Sequence, residues 1–264
     1  MEIKKQLLIL SAFFTVLFSA CQKSKLENKG TDLPVIESYL IPGQPILVKL
    51  YQQKDLTDTA VYGSPITGIN VYLSAGSQKL LLTETAKGNY TYADQSILAS
   101  GKTYTLQFDY NGYAVSATTT MPRKPSNFAS QYVGVNLPSS SGPGNASNTV
   151  LNVFTWSNPD SLNHVLAFKI VSGAFPVNSF DSSRPVNSQI NTDRKSQYDV
   201  TGREFPYFGH YNAILFSVNQ DYINLLDNNT RTSSQNLTQI PTNIINGFGI
   251  FTAMQTDTLS FSVQ

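Results

Sequence analysis

The chain offers few side chains that could act as a general base. Its 264 residues include two histidines, His164 in the segment LNHVLAF and His210 in the segment YFGHYNA. A Ser–His–Asp hydrolase needs such a histidine to accept the proton of its serine. Neither histidine lies in a G-x-S-x-G or H-E-x-x-H motif, which mark serine hydrolases and zinc proteases. We expect both histidines to bond to backbone or face solvent, and we predict no catalytic residues.

Carboxylates are the second group with catalytic potential. A pair of them can hydrolyse a glycosidic bond, and Asp181, Asp193, Asp199 and Glu204 lie in polar stretches of the second half. Acids in such stretches are usually solvated surface groups. The segments DNNTR and DSSRPVNS lack the alternating acids and the closing Glu of a calcium loop. The sequence therefore predicts a protein that is not an enzyme and has no metal site and no cofactor.

Cys21 is the single cysteine of the chain, and it follows an uncharged run of fourteen residues, 7–20. This run is too short to span a bilayer, which needs about 20 residues, but it suits the core of a signal peptide. Its end resembles a bacterial lipobox, although Phe18 replaces the usual smaller aliphatic residue. In the alternative, the signal is an ordinary secretory one and the cysteine is incidental or buried. We predict that Cys21 carries fatty acyl chains such as palmitate.

The segment FPYFGHY, residues 205–211, holds four aromatic residues. Exposed aromatic side chains beside polar loops bind sugars or protein surfaces. The candidate binding residues are three from this segment and one from the later segment GFGIF: Tyr207, Phe208, His210 and Phe248. In the alternative, Phe205, Phe208 and Tyr211 enter the hydrophobic core.

Short strands must position these side chains, because polar and apolar residues alternate over runs bounded by Pro or Gly. Examples are VIESYL (35–40), PILVKLY (45–51) and GINVYLS (68–74). In KTYTLQFDYNGYAVSATTT the apolar positions from Tyr104 to Tyr110 fall on one face. Asn111 and Gly112 tolerate the positive φ angles of a type I′ turn, so we expect a hairpin here.

About seven such strands in the first part of the chain are typical of a β-sandwich. The spacing of Trp156 and later strand candidates is similar to that of a fibronectin type III domain. The segment NQDYINLLDNN, 219–229, has helical spacing, which predicts one short helix. The stretches 176–203 and 227–247 are predicted to be long irregular loops, which are often functional.

We therefore predict an all-β fold with two tandem β-sandwich domains and one short helix. The N-terminal domain is expected to be Ig-like or transthyretin-like, and the C-terminal domain fibronectin type III-like. The predicted organisation is a lipoprotein signal peptide, a flexible tether, the first sandwich and the second sandwich with long loops: residues 1–21, 22–33, 34–123 and 124–264.

The charge composition limits the classes of partner. Lys and Arg number 18, Asp and Glu number 17, and the formal net charge is +1. Charged residues make up 13% of the chain, against about 25% in typical globular proteins. A balanced chain lacks the basic surface that binds nucleic acid or anionic lipid. We expect no nucleic-acid partner, and membrane contact through the anchor at Cys21.

Several segments together resemble a family of exported Bacteroidota lipoproteins, the domain of unknown function 4249. Besides the lipobox they are VIESYL-IPGQPILVKL, PITGINVYLS, GKTYTLQFDYNGYAVSATTTMP, SVNQDYINLL and PTNIINGFGIFTA. The resemblance covers Pro34 to Gln264. It implies a lipid-anchored location in the outer membrane, facing the periplasm or the surface. It also implies a TonB-dependent receptor as partner, because members are often encoded beside such receptors. No catalytic or ligand residues carry over.

The predicted function is that of a non-enzymatic cell-envelope lipoprotein that captures a ligand for a TonB-dependent outer-membrane receptor, or otherwise interacts with it. The alternative is a glycan-binding or adhesive surface module that acts independently. The identity of the ligand stays open in both.

Overall fold

The computed structural model of the chain describes residues 33–54, 59–137, 149–177, 187–229 and 242–264. The first ten strands are β1 (Pro34–Leu40), β2 (Ile46–Gln52), β3 (Tyr72–Ala75), β4 (Gln78–Leu81), β5 (Thr83–Ala86), β6 (Asn89–Tyr92), β7 (Thr103–Tyr110), β8 (Tyr113–Thr120), β9 (Ser126–Ser130) and β10 (Gly134–Val135). The later strands are β11 (Asn152–Ser157), β12 (His164–Pro176), β13 (Asn187–Asn191), β14 (Gln197–Val200), β15 (Tyr207–Val218), β16 (Ile244–Ile245) and β17 (Phe248–Val263).

Two helical segments accompany these strands in the described ranges. A single-turn 3₁₀-helix spans Gly202–Glu204, and the α-helix α1 spans Gln220–Asn229. The predicted all-β fold with one short α-helix is thereby confirmed. No helix in these ranges combines the length and apolar character needed to cross a membrane.

The described strands form three sheets. The largest has the order β13-β12-β15-β17-β1-β2-β6-β5, and β10 adds to β17. The two smaller sheets have the orders β14-β11-β9 and β16-β8-β7-β3-β4. The long strand β17 joins both halves of the large sheet, because its beginning pairs in parallel with β1 and its later part pairs antiparallel with β15.

The first core lies between β1, β2 and β6 of the large sheet and the sheet that contains β7 and β8. Ile36 and Leu50 enter it from one side, and Tyr104, Leu106 and Phe108 enter from the other. The β7 burial pattern alternates as the sequence predicts. Tyr110 pairs with Tyr113, and Asn111 and Gly112 have φ angles of 50° and 81°. The predicted hairpin is therefore confirmed.

The second core lies between β12, β15 and β17 and the sheet formed by β9, β11 and β14. It consists largely of aromatic rings, with Phe154, Phe168, Phe205, Tyr211 and Phe261 all buried. The Phe168 and Phe205 rings lie 5.1 Å apart between centroids in an edge-to-face arrangement. Such pairs add about 0.5–1.5 kcal/mol beyond the burial of their apolar area.

A third, smaller cluster lies on the opposite face of the large sheet, under α1. Ile223 of the helix packs there with Val165, Val218 and Met254. The side-chain amide of Asn219 donates to Thr119 Oγ1 at 2.9 Å and fixes the start of the helix against β8. The helix therefore packs on the outer face of the large sheet.

Part of the predicted loop structure is wrong. Within the stretch 176–203, expected to be irregular, the described residues include β13, β14 and most of the 3₁₀-helix. Both strands lie at the edge of a sheet. An edge strand can form with few buried side chains, so its sequence can be polar and lack the alternation that predicts a strand. Within the stretch 227–247, β16 pairs with β8, which the sequence did not predict, whereas α1 ends at Asn229 as the predicted helix does.

The predicted division into two sandwich domains at residues 123 and 124 stays a prediction. Residues 33–264 group as one compact unit, and the large sheet continues from one core to the other. The predicted signal peptide, Cys21 and the tether up to residue 32 lie outside the described residues, as do residues 178–186 and 230–241 of the predicted loops.

Candidate functional site

The outer face of β1 and β2 carries side chains that are unusual for the solvent side of a sheet. Alternation in β1 buries Ile36 in the first core and directs Glu37 and Tyr39 outward. In the adjacent β2, Lys49 pairs with Glu37 and Tyr51 pairs with Val35. Directly paired residues point to the same face of a sheet. The two strands therefore present tyrosines and one charged pair together.

The helix α1 and the strand β13 complete a cleft above this face. The Tyr222 ring packs edge-on against Tyr39, with 6.0 Å between ring centroids and an interplanar angle of 87°. The Tyr222 hydroxyl donates to Gln189 Oε1 at 2.9 Å, which ties the helix to β13. We name this space, lined by Tyr39 and Tyr222, the tyrosine cleft.

The tyrosine cleft has the size and character of a ligand site. Its volume is about 780 Å³, within the range of roughly 300–1,000 Å³ found for ligand pockets. Its apolar lining includes Ile41, Leu47, Phe216 and Met254. Such pockets combine a mainly apolar lining with a few polar groups that orient the ligand.

The charged groups of the tyrosine cleft form one ion pair. Lys49 Nζ lies 3.2 Å from Glu37 Oε1, and the two side chains are partly buried, with 27% and 29% of their surface exposed. Burial alone lowers the pKa of Lys49, but the hydrogen bond and the charge of Glu37 outweigh it and hold this pKa above its ordinary value. The lysine therefore stays protonated and bound to its carboxylate.

The cleft tyrosines stay neutral at physiological pH. Burial raises the pKa of Tyr39 to about 12, and the nearby Glu37 adds to this shift. Burial also raises the pKa of Tyr222, against the opposing effect of its hydrogen bond to Gln189. Both phenols are therefore hydrogen-bonding groups rather than anions.

A second aromatic pair borders the cleft beyond Lys49. The Tyr51 and Tyr62 rings stack with 4.6 Å between centroids and an interplanar angle of 15°. Lys49 Nζ lies 5.4 Å from the centroid of Tyr62, within the distance of a cation–π contact. Tyr62 is 45% exposed. One tyrosine ring is thus held flat by its neighbour and remains accessible to a ligand.

The four binding residues suggested by the sequence do not come together. Phe248 pairs with Val35 and so lies on the same sheet face as Glu37 and Tyr39. The other three belong to β15, whose Gly209 pairs with Val263 at the far end of β17, about 50 Å along the strand from Phe248. One of the four therefore shares a sheet face with the tyrosine cleft, and none is among the residues that line it.

The three residues on β15 have different environments. Tyr207 is buried, Phe208 is partly buried against the second core, and His210 is exposed. His210 Nδ1 lies 3.0 Å from Ser262 Oγ on an open sheet face. Phe205 and Tyr211 are in the core, as the alternative interpretation expected. Whether the exposed part of this segment binds a partner stays a prediction.

His164 has a structural environment. It is 2% exposed, with Nδ1 3.1 Å from the Leu162 carbonyl oxygen and Nε2 3.1 Å from Ser217 Oγ. Burial lowers the pKa of His164, and the contact with Leu162 only partly opposes this effect. The imidazole is therefore neutral and enclosed.

The suggested carboxylates do not form a single group. Glu204 accepts from the backbone nitrogen of Thr201 at 2.9 Å and so caps its own 3₁₀-helix. Asp193 and Asp199 line a separate polar depression near β14, and Asp181 lies outside the described residues. Across the described ranges, no three His, Cys, Asp or Glu side chains are grouped closely enough to hold a metal ion.

The tyrosine cleft could have been suspected only in part from the sequence. Tyr39 and Tyr51 occupy outward positions in VIESYL and PILVKLY, where polar side chains are usual, and this is a readable signal. Tyr62 and Tyr222 come from a loop and a helix. Nothing local in the sequence shows that they meet the two strands.

Comparison with known proteins gives a family and several distant structural likenesses. A search of the curated proteins finds no match. The chain is similar to the FN1–FN3 domains of chicken CNTN1, with 10% identity, a TM-score of 0.28 and coverage of 88% of this chain and 65% of that one. It is also similar to a two-domain fibronectin type III segment of chicken tenascin, with 11% identity, a TM-score of 0.22 and coverage of 70% and 91%. A third likeness is to a 1.5-MDa bacterial ice-binding adhesin, with 10% identity, a TM-score of 0.23 and coverage of 88% and 65%.

The chain thus spans just under two thirds of the length of the CNTN1 and adhesin structures. We draw nothing about function from these likenesses. The family model described as a domain of unknown function (DUF4249) matches residues 23–260, which is most of the sequence and includes every strand of the first core. The chain belongs to the DUF4249 family.

Proposed function

We propose that the protein is a non-enzymatic, lipid-anchored protein of the outer membrane that captures a ligand for a TonB-dependent receptor. The observation that carries the binding role is the tyrosine cleft, about 780 Å³ in volume, with aromatic walls and one ion pair. It offers contact area and hydrogen bonds at one place on a sheet face, which is what a small-molecule site requires.

The chemistry of the cleft favours binding over turnover. General acid–base catalysis works best when the pKa of the catalytic group lies near the working pH. The pKa of Tyr39 is about 12 and that of Lys49 is raised, so neither exchanges protons readily near neutrality. Lys49 is also held by Glu37. These groups are arranged to orient a ligand through hydrogen bonds.

The membrane location rests on the sequence around Cys21. Each buried acyl CH₂ contributes about 0.8 kcal/mol, and two or more chains anchor a protein stably where one is marginal. The tether after the cysteine would let the folded residues reach a partner in the same membrane. The receptor itself is proposed from the resemblance to exported lipoproteins encoded beside TonB-dependent receptors.

The anchor can be tested with a clickable palmitate analogue fed to cells that express the full chain. We expect the label on the native protein and none on Cys21→Ser, with the variant released into the soluble fraction. Unlabelled native protein that is still made in full amounts would overturn the anchor.

The receptor role can be tested by purifying the tagged full chain from detergent-solubilised outer membranes of its own host. We expect a TonB-dependent receptor to co-purify with the native chain and to be absent from the Cys21→Ser preparation. A folded, acylated protein that co-purifies with no such receptor would overturn the accessory role.

The independent adhesive module is the second candidate. It is favoured by one observation: Tyr62, which borders the cleft, is exposed and can contact a ligand or surface directly. Deleting the receptor gene separates the candidates. A module that acts alone keeps its ligand binding on such cells, whereas ligand uptake by the capture protein requires the receptor.

A further inference from the structure

The charge of the tyrosine cleft limits its ligand. Glu37 and Lys49 are the charged residues among the described residues that line it. Their opposite charges cancel, and the two groups lie in contact at 3.2 Å. An anionic ligand would have to displace Glu37 from the lysine, and a cationic ligand would have to displace the lysine. Burying a charge without a partner is costly. The cleft therefore suits an uncharged ligand.

The backbone around the cleft argues against an extended peptide. Peptides commonly bind a sheet by adding a strand to a free edge. The strand β1 is paired on one side with β17 and on the other with β2, and β2 is also paired with β6. The floor of the cleft thus has no unpaired strand edge. Recognition on this floor must therefore come from side chains, and the nearest strand edge is that of β13 at the rim of the cleft.

The aromatic side chains are spread along the strands. Tyr51 pairs with Val35, and Tyr39 lies four residues further along β1. The two tyrosines are therefore about 13 Å apart along the strand direction, with the Glu37–Lys49 pair between them. Two aromatic surfaces with a polar pair between them fit a ligand built of repeated units, each with an apolar face and a polar rim.

We infer that the tyrosine cleft binds an uncharged oligosaccharide. A pyranose ring has an apolar C–H face, which packs on a tyrosine ring, and a rim of hydroxyl groups. The rings of Tyr39 and Tyr62 would each receive a sugar face, and the Glu37–Lys49 pair would bond hydroxyl groups between them. Gln44, Thr91 and Gln189, which also line the cleft, supply further neutral donors and acceptors. This inference rests on the proposed ligand-binding role of the cleft.

The inference can be tested on the full chain in a sugar-free detergent, because maltoside detergents would compete. A printed array of uncharged and acidic glycans identifies the class, and calorimetry with the strongest soluble binder measures affinity. We expect binding among the uncharged glycans that is insensitive to salt. We expect Tyr39→Ala and Tyr62→Ala each to weaken it by roughly tenfold.

Matched variants separate recognition from folding. Tyr39→Phe keeps the ring and should keep most of the affinity, and Tyr62 lies in a loop where alanine leaves the cores untouched. Tyr113→Ala, which removes a tyrosine 40% exposed at the β7–β8 turn, should bind like the native protein.

Three results would overturn the inference: no uncharged glycan bound, an acidic glycan bound in preference, or native affinity in both Tyr39→Ala and Tyr62→Ala. Receptor co-purification reports separately on the proposed function. If the receptor co-purifies and no uncharged glycan binds, the ligand class is wrong and the capture role stands. If a glycan binds and no receptor co-purifies, the inference stands and the accessory role fails.

Discussion

Replacing Gly249 with alanine should disrupt the join between β1 and β17 that supports the tyrosine cleft. Gly249 has a φ of +97°, and a Cβ there would overlap the Ile36 carbonyl oxygen and lie 3.0 Å from the Ile36 carbonyl carbon and nitrogen. Ile36 is the register partner of Gly249. The colliding atoms are backbone, so the two strands must separate to admit the methyl group.

The expected magnitude has two parts. A non-glycine residue forced into this backbone region costs about 1–3 kcal/mol. Separating one buried ladder pair leaves polar groups unsatisfied, at about 1–3 kcal/mol more. We therefore expect Gly249→Ala to lower the free energy of unfolding by roughly 2–6 kcal/mol, a large part of the 5–15 kcal/mol typical of a folded protein.

Gly43→Ala is the matched control. Gly43 also has a positive φ, +91°, but a Cβ there would meet nothing within 4 Å. The free energy of unfolding of Gly43→Ala should fall only by the cost of the backbone strain, about 1–3 kcal/mol. Urea unfolding of both variants, followed by the fluorescence of the single tryptophan, Trp156, measures the difference. Equal midpoints for the two variants would refute the argument from the Ile36 contact.

Two further outcomes are expected from the cores. Because burial lowers the pKa of His164, the unfolded chain takes up a proton below about pH 6.5 that the folded protein resists; stability present above that pH is lost as the pH falls. The urea midpoint should therefore drop more steeply between pH 7.5 and 5 in the native protein than in His164→Gln, and parallel curves would contradict the neutral buried imidazole. Phe261→Ala should lower the free energy of unfolding by about 3–5 kcal/mol, because its ring lies 5.5–5.8 Å from four other aromatic rings. Phe175→Ala, at a side chain 70% exposed, should change it by less than about 0.5 kcal/mol, and similar losses for the two variants would show that the second core is wrongly assigned.

Local features of the fold were predictable because their causes are local. Asn111 and Gly112 specify their turn by themselves, and alternation from Tyr104 to Tyr110 specifies which face is buried. Asn219 and the residues after it indicate the helix for the same reason, since helical spacing is contained in ten residues. Each of these expectations depends on a single segment.

Strand partners were not predictable, because alternation shows which side chains are buried but not which strand lies alongside. Nothing in VIESYL shows that Val35 pairs with Phe248 rather than with a nearer segment. The strand β13 was missed because its composition is polar, as edge strands often are.

The candidate site was missed for a related reason. The sequence directs attention to the aromatic segment at 205–211. Its aromatic residues are close together because they pack in the second core, where Phe205 and Tyr211 are buried. The tyrosine cleft draws single tyrosines from β1 and α1, and the pair that borders it comes from β2 and a loop. Tyr222 lies 160 residues after Tyr62, so no local pattern shows that the helix meets the two strands.

The position of β17 has a consequence for the order in which the chain folds. The strand β1 is made early, but one of its two neighbours, β17, is the last strand described. Val35 can pair with Phe248 only after the intervening residues have been made. Until then one edge of β1 is unpaired, and an unpaired strand edge can pair wrongly with other chains. Pairing across such a sequence distance is also slow. The large sheet therefore cannot close until β17 has been made, and a chaperone that shields β1 during that interval would protect the yield of native protein.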